Sequence, residues 1–127
     1  MTKQIVYTDK APAAIGPYSQ GTILGDLVFT AGQIPLDPGT GQIVGGDIAA
    51  QAGRVVENLA AVLKEAGSGL DRVMRLDVYL TDLSAFPVVN EYLSEIFPKD
   101  PPARVTVEVS ALPMGAFIEM AAIAFRK

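Results

Sequence analysis

The chain has 127 residues, a formal net charge of −4, and neither cysteine nor histidine. Without those two residue types there can be no disulfides, thiol nucleophiles, imidazole bases or ordinary zinc sites. Any catalysis must use carboxylates, Arg, Lys, Tyr, hydroxyls or backbone amides. The acidic balance, with ten Lys and Arg spread along the chain, argues against nucleic acid as a partner.

The length predicts a single domain over residues 1–127. The N-terminus lacks the apolar stretch of a signal peptide, and no run of about 18 apolar residues suits a membrane. We therefore expect a cytoplasmic protein that does not bind membranes. Half of the residues are hydrophobic. That share fits a well-filled interior, or an apolar surface that is buried against sister subunits.

The first third of the chain predicts strands at residues 4–9, 19–24 and 27–32. Two Pro and two Gly in residues 11–21 exclude a regular helix from the stretch after the first strand. Gly25-Asp26 is typical of a hairpin turn between extended runs. These signals indicate an N-terminal loop that leads into a β-hairpin.

A long amphipathic helix is predicted from Ile48 to about Ala66. Apolar residues recur there every three or four positions, Asp47 can cap the N-terminus, and Gly67 suits the position after the C-terminus. Its polar side chains, Gln51 and Asn58 among them, are expected to lie largely off the apolar stripe.

The second half predicts a half-buried strand at residues 74–81 and a helix at 85–97 capped by Ser84, with Pro87 in its first turn. Strands at 104–110 and 117–125 close the chain. The order indicates a mixed or antiparallel sheet with both helices on one face. We expect the uncovered face to be buried by oligomerisation.

Two charged residues interrupt otherwise apolar strands. Arg104 opens a Val-rich strand, where it is either a surface residue or a planar fork aimed at a carboxylate. Glu119 lies in the most apolar stretch of the chain, so it is either at a solvent-exposed edge of the sheet or held in a pocket by polar partners. In a pocket, desolvation would raise its pKa, which suits a general base.

Several segments, in order and across nearly the whole chain, resemble the RidA family, also called YjgF. They include AIGPYSQ at residues 14–20, AGQIPLD at 31–37 and ARVTVEV at 103–109. Residues 51–67, 112–113 and 118–124 fit as well. The resemblance implies an α/β (α+β) fold like that of chorismate mutase, with a six-stranded mixed sheet and two helices on one face. It also implies a homotrimeric barrel with clefts between the subunits.

The resemblance further implies hydrolysis of 2-iminobutanoate and 2-iminopropanoate to 2-oxo acids and ammonia, without a metal or organic cofactor. The family's carboxylate-binding arginine falls on Arg104 and its water-orienting glutamate on Glu119. The other cleft positions fall on Tyr18, Ala31, Gly32, Asn90 and Thr106. Many members carry cysteine where this chain has Thr106, so a mechanism that needs a thiol is excluded here.

Two other functions remain open at this point. Some relatives are described as chaperone-like or translation-inhibiting, so the chain could be a non-enzymatic trimer that binds small carboxylates. An endoribonuclease activity is also attributed to some relatives. The acidic charge and the absence of histidine argue against that activity in this chain.

Overall fold

A computed structural model describes residues 1–126. Six strands form one mixed sheet in the order β1-β2-β3-β6-β4-β5. The strands are β1 (Gln4–Val6), β2 (Gly21–Leu24), β3 (Leu27–Thr30), β4 (Val73–Leu80), β5 (Ala103–Glu108) and β6 (Ile118–Phe125). Only β4 and β5 pair in parallel, and every other neighbouring pair is antiparallel. The predicted six-stranded mixed sheet with two helices is confirmed.

Helices α1 (Ile48–Glu65) and α2 (Phe86–Ile96) cover one face of this sheet. Alternate residues of β6 and β4 are buried beneath them, and Val78, Ile118 and Met120 have no exposed surface. Burying one such side chain contributes roughly 1.5–3 kcal/mol. The main core therefore lies between the sheet and the helices, as the period-two pattern of these strands predicts.

The other face of the sheet, here called the open face, is not covered by either helix. Phe29, Val105 and Phe125 keep 39%, 40% and 40% of their surface exposed there. Strand pairing brings further apolar residues onto the same face, including Ile5, Leu24, Leu27, Val107 and Ile123. An apolar sheet face of this extent is typical of a subunit interface.

Helix α1 begins and ends as predicted. The Asp47 side chain accepts a hydrogen bond from the Ala50 backbone N–H at 3.0 Å, and Gly67 follows the helix with φ +81°. The prediction that Gln51 and Asn58 lie off the apolar stripe is wrong. They are 3% and 0% exposed, because each side chain bonds to backbone that packs against the helix.

The predicted Ser84 cap of the second helix is also wrong. Helix α2 begins one residue after Ala85, and no side chain caps it. A short 3₁₀ helix over Leu83–Ala85 precedes it, and Asp82 caps that turn by accepting from the Ser84 backbone N–H at 2.9 Å. The hydrogen bonds from Ser84 lower the pKa of Asp82. Pro87 lies in the first turn of α2, as predicted.

Some strand ends differ from the prediction by one to three residues. The first strand ends at Val6 rather than at residue 9, and β3 ends at Thr30, so that Ala31 and Gly32 follow the strand. Strand β5 ends at Glu108 rather than at residue 110. Such ends depend on where neighbouring strands stop pairing, which a single strand's sequence does not encode.

Candidate active site

Glu119 lies on β6 and points to the open face, since its neighbours Ile118 and Met120 are buried on the covered face. It pairs across the sheet with Tyr79 of β4. The carboxyl group is half-buried, and this desolvation raises its pKa. A carboxylate with a raised pKa and partial access to solvent is suited to accept a proton from water.

The segment after β3 packs directly against Glu119. Gln33 exchanges two backbone hydrogen bonds with Met120, at 2.8 and 3.1 Å, and so extends the sheet beside β6. This register brings Gly32 next to the Glu119 side chain. A Cβ atom on Gly32 would be 2.9 Å from Glu119 Cδ and nearer still to Oε2. Only glycine allows the carboxylate to lie there.

Tyr18 lies in the loop before β2 and is half exposed. Its hydroxyl accepts a hydrogen bond from the Ile15 backbone N–H at 3.3 Å, and this bond links two positions of the loop that are three residues apart. Tyr18 and Gly32 line the same shallow recess. Ala31 is held beside that loop, because its backbone N–H donates to the Gln20 carbonyl at 2.8 Å. Glu119, Gly32, Tyr18 and Ala31 are called the glutamate group below.

Arg104 lies on β5 at the edge of the sheet and next to buried Leu76 of β4. Its guanidinium donates to Asn90 Oδ1 on α2 at 2.5 Å. The same guanidinium lies 5.5 Å from the centroid of the Phe86 ring, within range of a cation–π interaction. Helix α2 thus fixes the direction of the fork.

The Arg104 fork borders a cavity of about 420 Å³ between α2 and β5. Leu93 of α2 and Phe97, the residue that follows α2, contribute apolar wall, and Asn90 contributes an amide. Thr106, two residues along β5 and half-buried, lies on the same side of the strand as Arg104. Arg104, Asn90 and Thr106 are called the arginine group below.

The arginine group and the glutamate group lie on opposite faces of the sheet within one chain. Arg104 shares the covered face with Leu76, whereas Glu119 shares the open face with Tyr79. Side chains alternate between faces, so neither group reaches the other across a single sheet. The chain therefore brings the predicted site residues together as two separate halves.

Sequence reasoning missed three residues that shape these halves. Phe86 lies against the Arg104 guanidinium, while Gln51 and Asn58 hold backbone close to Glu119. A signal for the last two was present, since they lie seven residues apart, about two helical turns, and each immediately precedes a residue of the apolar stripe. No comparable signal marks Phe86.

Within residues 1–126 there is no cluster of three or more acidic residues that could hold a metal ion. In the same part of the chain, no helix combines the length and the apolar character needed to cross a membrane.

Comparison with known proteins places the chain in a family. The model of the family described as Endoribonuclease L-PSP matches residues 8–126. A RutC family protein of Pyrococcus abyssi is 53% identical over 127 residues, which cover 100% of both chains. The chain belongs to the RidA (YjgF) family. The resemblance stated from the sequence is thereby confirmed.

Two further members are informative. The human 2-iminobutanoate/2-iminopropanoate deaminase is 38% identical over 126 residues, covering 99% of this chain and 92% of the human protein. The crystal structure of E. coli TdcF with bound serine matches with a TM-score of 0.92 and 40% identity, covering 98% of this chain and 99% of that one. RidA-family structures thus share the whole fold of this chain.

Proposed function

We propose that the protein is a 2-imino acid deaminase that hydrolyses 2-iminobutanoate and 2-iminopropanoate. The observation that carries the proposal is the pair of functional halves, an oriented arginine fork and a half-buried glutamate, in a relative of the human enzyme named for this reaction.

Arg104 binds the substrate carboxylate in this scheme. A guanidinium has five N–H donors in a planar fork, and Asn90 occupies one of them. The remaining donors can form two parallel hydrogen bonds to a carboxylate, which fixes the orientation as well as the position of the substrate. Asn90 and Phe86 hold the fork in place before the substrate arrives, which reduces the ordering cost of binding.

Glu119 activates the attacking water. The carboxylate takes one proton as the water oxygen bonds to C2 of the C=N group, which gives a carbinolamine. The electron pair of the C=N π bond moves to the nitrogen, which receives this first proton from Glu119 and becomes the amine of the carbinolamine. Glu119 then takes the second proton, from the carbinolamine hydroxyl, as that oxygen forms the carbonyl, and passes it to the nitrogen as the C–N bond breaks, so that ammonia leaves and a 2-oxo acid remains. Atoms and electrons balance without a metal or an organic cofactor.

The cleft is shared between adjacent subunits of a homotrimer. Because Arg104 and Glu119 lie on opposite faces of one chain, a single substrate can contact both only if they come from different chains. The apolar open face, with Phe29 and Val105 exposed, supplies the surface that such an assembly would bury.

Complementation between two inactive variants tests the shared cleft directly. Arg104→Ala and Glu119→Gln are purified separately, mixed in urea in equal amounts and refolded together. If each cleft takes its arginine from one chain and its glutamate from the next, about one quarter of the clefts in random trimers are intact. The measurement is 2-oxobutanoate release in a coupled threonine dehydratase assay, with semicarbazide to capture free imine.

Three results of this assay are decisive. Faster release by the wild-type protein, near-zero rates for each variant alone and a recovered rate in the mixture support the proposal. Wild-type protein that does not accelerate release contradicts the deaminase function. Active wild-type protein with no recovery in the mixture contradicts only the sharing of the cleft between chains.

A second function, binding of small carboxylates without turnover, is favoured by one observation. The related E. coli TdcF structure contains serine, which carries a carboxylate and is not an imine. Titration calorimetry with 2-oxobutanoate and serine distinguishes the two functions when it is run beside the assay. Binding that requires Arg104, with no rate acceleration, would establish the binder instead of the enzyme.

A further inference from the structure

We propose that Asn58 of α1 is a positioning residue that fixes the backbone beside Glu119. The inference rests on the proposed function, since it assigns Asn58 a part in the same site. Asn58 does not touch the substrate or the reacting atoms in this assignment. It acts through residues 32–36, which pack against the glutamate.

The Asn58 side chain makes three hydrogen bonds although it has no exposed surface. Its Nδ2 donates to the Ile34 carbonyl at 3.3 Å and to the Leu36 carbonyl at 3.0 Å. Its Oδ1 accepts from Arg54 Nε at 3.1 Å. One amide group thus holds two carbonyls of the same segment. The two bonds together restrain the distance of that segment from α1 and its orientation.

The segment transmits this restraint to Glu119 over a short distance. Gln33, next to Ile34, exchanges both of its backbone bonds with Met120, the neighbour of Glu119. Gly32 then lies against the Glu119 carboxyl group with no room for a Cβ atom. A shift at Ile34 therefore acts on the backbone that packs directly against the carboxylate.

A second amide on the same helix holds the backbone just before Glu119 in the chain. Gln51 Oε1 accepts from the Phe117 backbone N–H at 2.9 Å, two residues before Glu119. Gln51 and Asn58 are seven residues apart, which places them about two turns apart on one side of α1. Two amides of one helix thus hold two backbone segments close to Glu119, the one at Ile34–Leu36 and the one at Phe117.

An amide is a costly choice for core packing alone. A buried polar group that lacks its partners destabilises a fold, whereas an apolar side chain of the same size packs without that requirement. Asn58 lies on α1, whose apolar residues belong to the main core, and bonds to the backbone of Ile34 and Leu36, which form a smaller cluster with Ala116. The directional hydrogen bonds of its amide fix the position of this segment along α1, which an apolar side chain would not do.

Arg54 supports the direction of the Asn58 amide. Its side chain is 20% exposed and forms an ion pair with Glu57, Nη1 to Oε2, at 3.0 Å. The Arg54 Nε bond to Asn58 Oδ1 leaves the two Asn58 N–H donors free to point at the segment. Arg54 therefore offers a milder way to loosen the same restraint.

The test compares Asn58→Leu, which removes both donors at similar volume, with Leu63→Ala. Leu63 is equally buried on α1 but belongs to the main core and not to the Ile34 cluster. We expect Asn58→Leu to lower kcat about 10- to 100-fold, because small displacements of a catalytic group cost that much. KM should change less than about threefold, because Arg104 is untouched.

Arg54→Met keeps the proposal testable if Asn58→Leu does not fold. It should lower kcat in the same direction by a smaller factor. Hydrogen exchange, followed by mass spectrometry, should show faster exchange of peptides that cover residues 32–37 in both variants. Leu63→Ala should keep the wild-type kcat and the wild-type exchange of that peptide, even where its overall stability is lower.

The outcomes separate this inference from the proposed function. Active wild-type protein, with unchanged kcat in a folded Asn58→Leu or in Arg54→Met, overturns the positioning role alone. Equal losses of kcat in Leu63→Ala and Asn58→Leu also overturn it, since the effect would then follow general stability. Wild-type protein without deaminase activity overturns the proposed function, and the catalytic part of this inference with it.

Discussion

Gly32 and Glu119 are in such close contact that the carboxyl group occupies the space where any other residue would have its Cβ atom. A Cβ on Gly32 would be 2.9 Å from Glu119 Cδ, a distance that real Cβ atoms essentially never show. The glycine is required here by close approach and not by a left-handed backbone. The position of the proposed base is therefore set by a residue with no side chain.

Gly32→Ala should inactivate the protein while it still folds. The added methyl group must push the Glu119 carboxylate aside, and a displacement of about 1 Å in a catalytic group costs on the order of 100-fold in rate. We expect kcat to fall by about that factor in the imine hydrolysis assay. Gly45→Ala is the matched control, because a Cβ there meets nothing within 4 Å. A wild-type kcat for Gly32→Ala would refute the steric role.

The activity should fall on acidification at a higher pH than an ordinary glutamate would produce. Desolvation raises the pKa of Glu119, and only its deprotonated form can take a proton from water. The apparent pKa of the acid limb in the pH profile of kcat/KM should therefore lie above the usual Glu pKa of about 4.3. The profile is measured with two substrates of different imine basicity. If the apparent pKa of the acid limb differs between the two substrates, the limb reports protonation of the imine and not of Glu119.

Glu119→Gln should be inactive and yet more stable than the wild type at neutral pH. The pKa of Glu119 is raised in the folded state, so the folded protein favours the protonated form. The resulting contribution to the free energy of unfolding is fully present below the unfolded-state pKa. It is lost as the pH rises through the folded-state pKa. At pH 7 the buried charge therefore costs stability, and glutamine removes that cost. Urea unfolding at pH 7 should show the gain, which should vanish in acid. A loss of stability at pH 7 would contradict the desolvation argument.

The sequence was sufficient to predict features that repeat along an element. The apolar stripe of α1 and the alternation of β4 from Leu76 to Leu80 follow from side-chain periodicity, and the structure confirms them together with the Asp47 cap. Met74, predicted on the same face as Leu76, is exposed instead, because the strand pairing shifts between Val73 and Arg75. Arg104 and Glu119 stand out in the sequence, because Arg104 opens a Val-rich strand and Glu119 is the one charge of an apolar strand. Their roles, however, came from resemblance to a family and not from periodicity.

Features that depend on partners distant in sequence were not predictable. Gln51 and Asn58 look like surface residues by polarity, and they are buried only because Phe117 and the segment at Ile34 bring backbone groups to them. The Ser84 cap failed for a local reason. Asp82, two residues earlier, competes for the same turn and binds the Ser84 N–H itself.

A charge at the centre of the open face should dissociate the proposed trimer. Phe29 pairs with Thr22 on one side and Ile123 on the other, so Phe29→Lys would bury an ammonium group in any assembly that covers this face. Light scattering after gel filtration should show monomers. Val88→Lys is the control, since Val88 is similarly exposed at 46% but lies on α2. A trimeric Phe29→Lys would show that the open face is not the interface.

Arg104→Lys should show that the shape of the fork matters as well as its charge. Lysine keeps the positive charge but loses the parallel pair of hydrogen bonds and the placement of the guanidinium near the Phe86 ring. We expect kcat/KM to fall about 10- to 100-fold, mainly through KM, with a similar loss in affinity for 2-oxobutanoate.

Arg104→Ala should lose more, roughly 2–5 kcal/mol, because the carboxylate would then lie unpaired in the cleft. Arg72→Lys provides the control, since Arg72 lies in the 3₁₀ turn before β4 and belongs to neither group. Calorimetry and steady-state kinetics measure the two losses independently. If Arg104→Lys binds 2-oxobutanoate as tightly as the wild type, a point charge is enough, and the two-bond recognition by Arg104 is wrong.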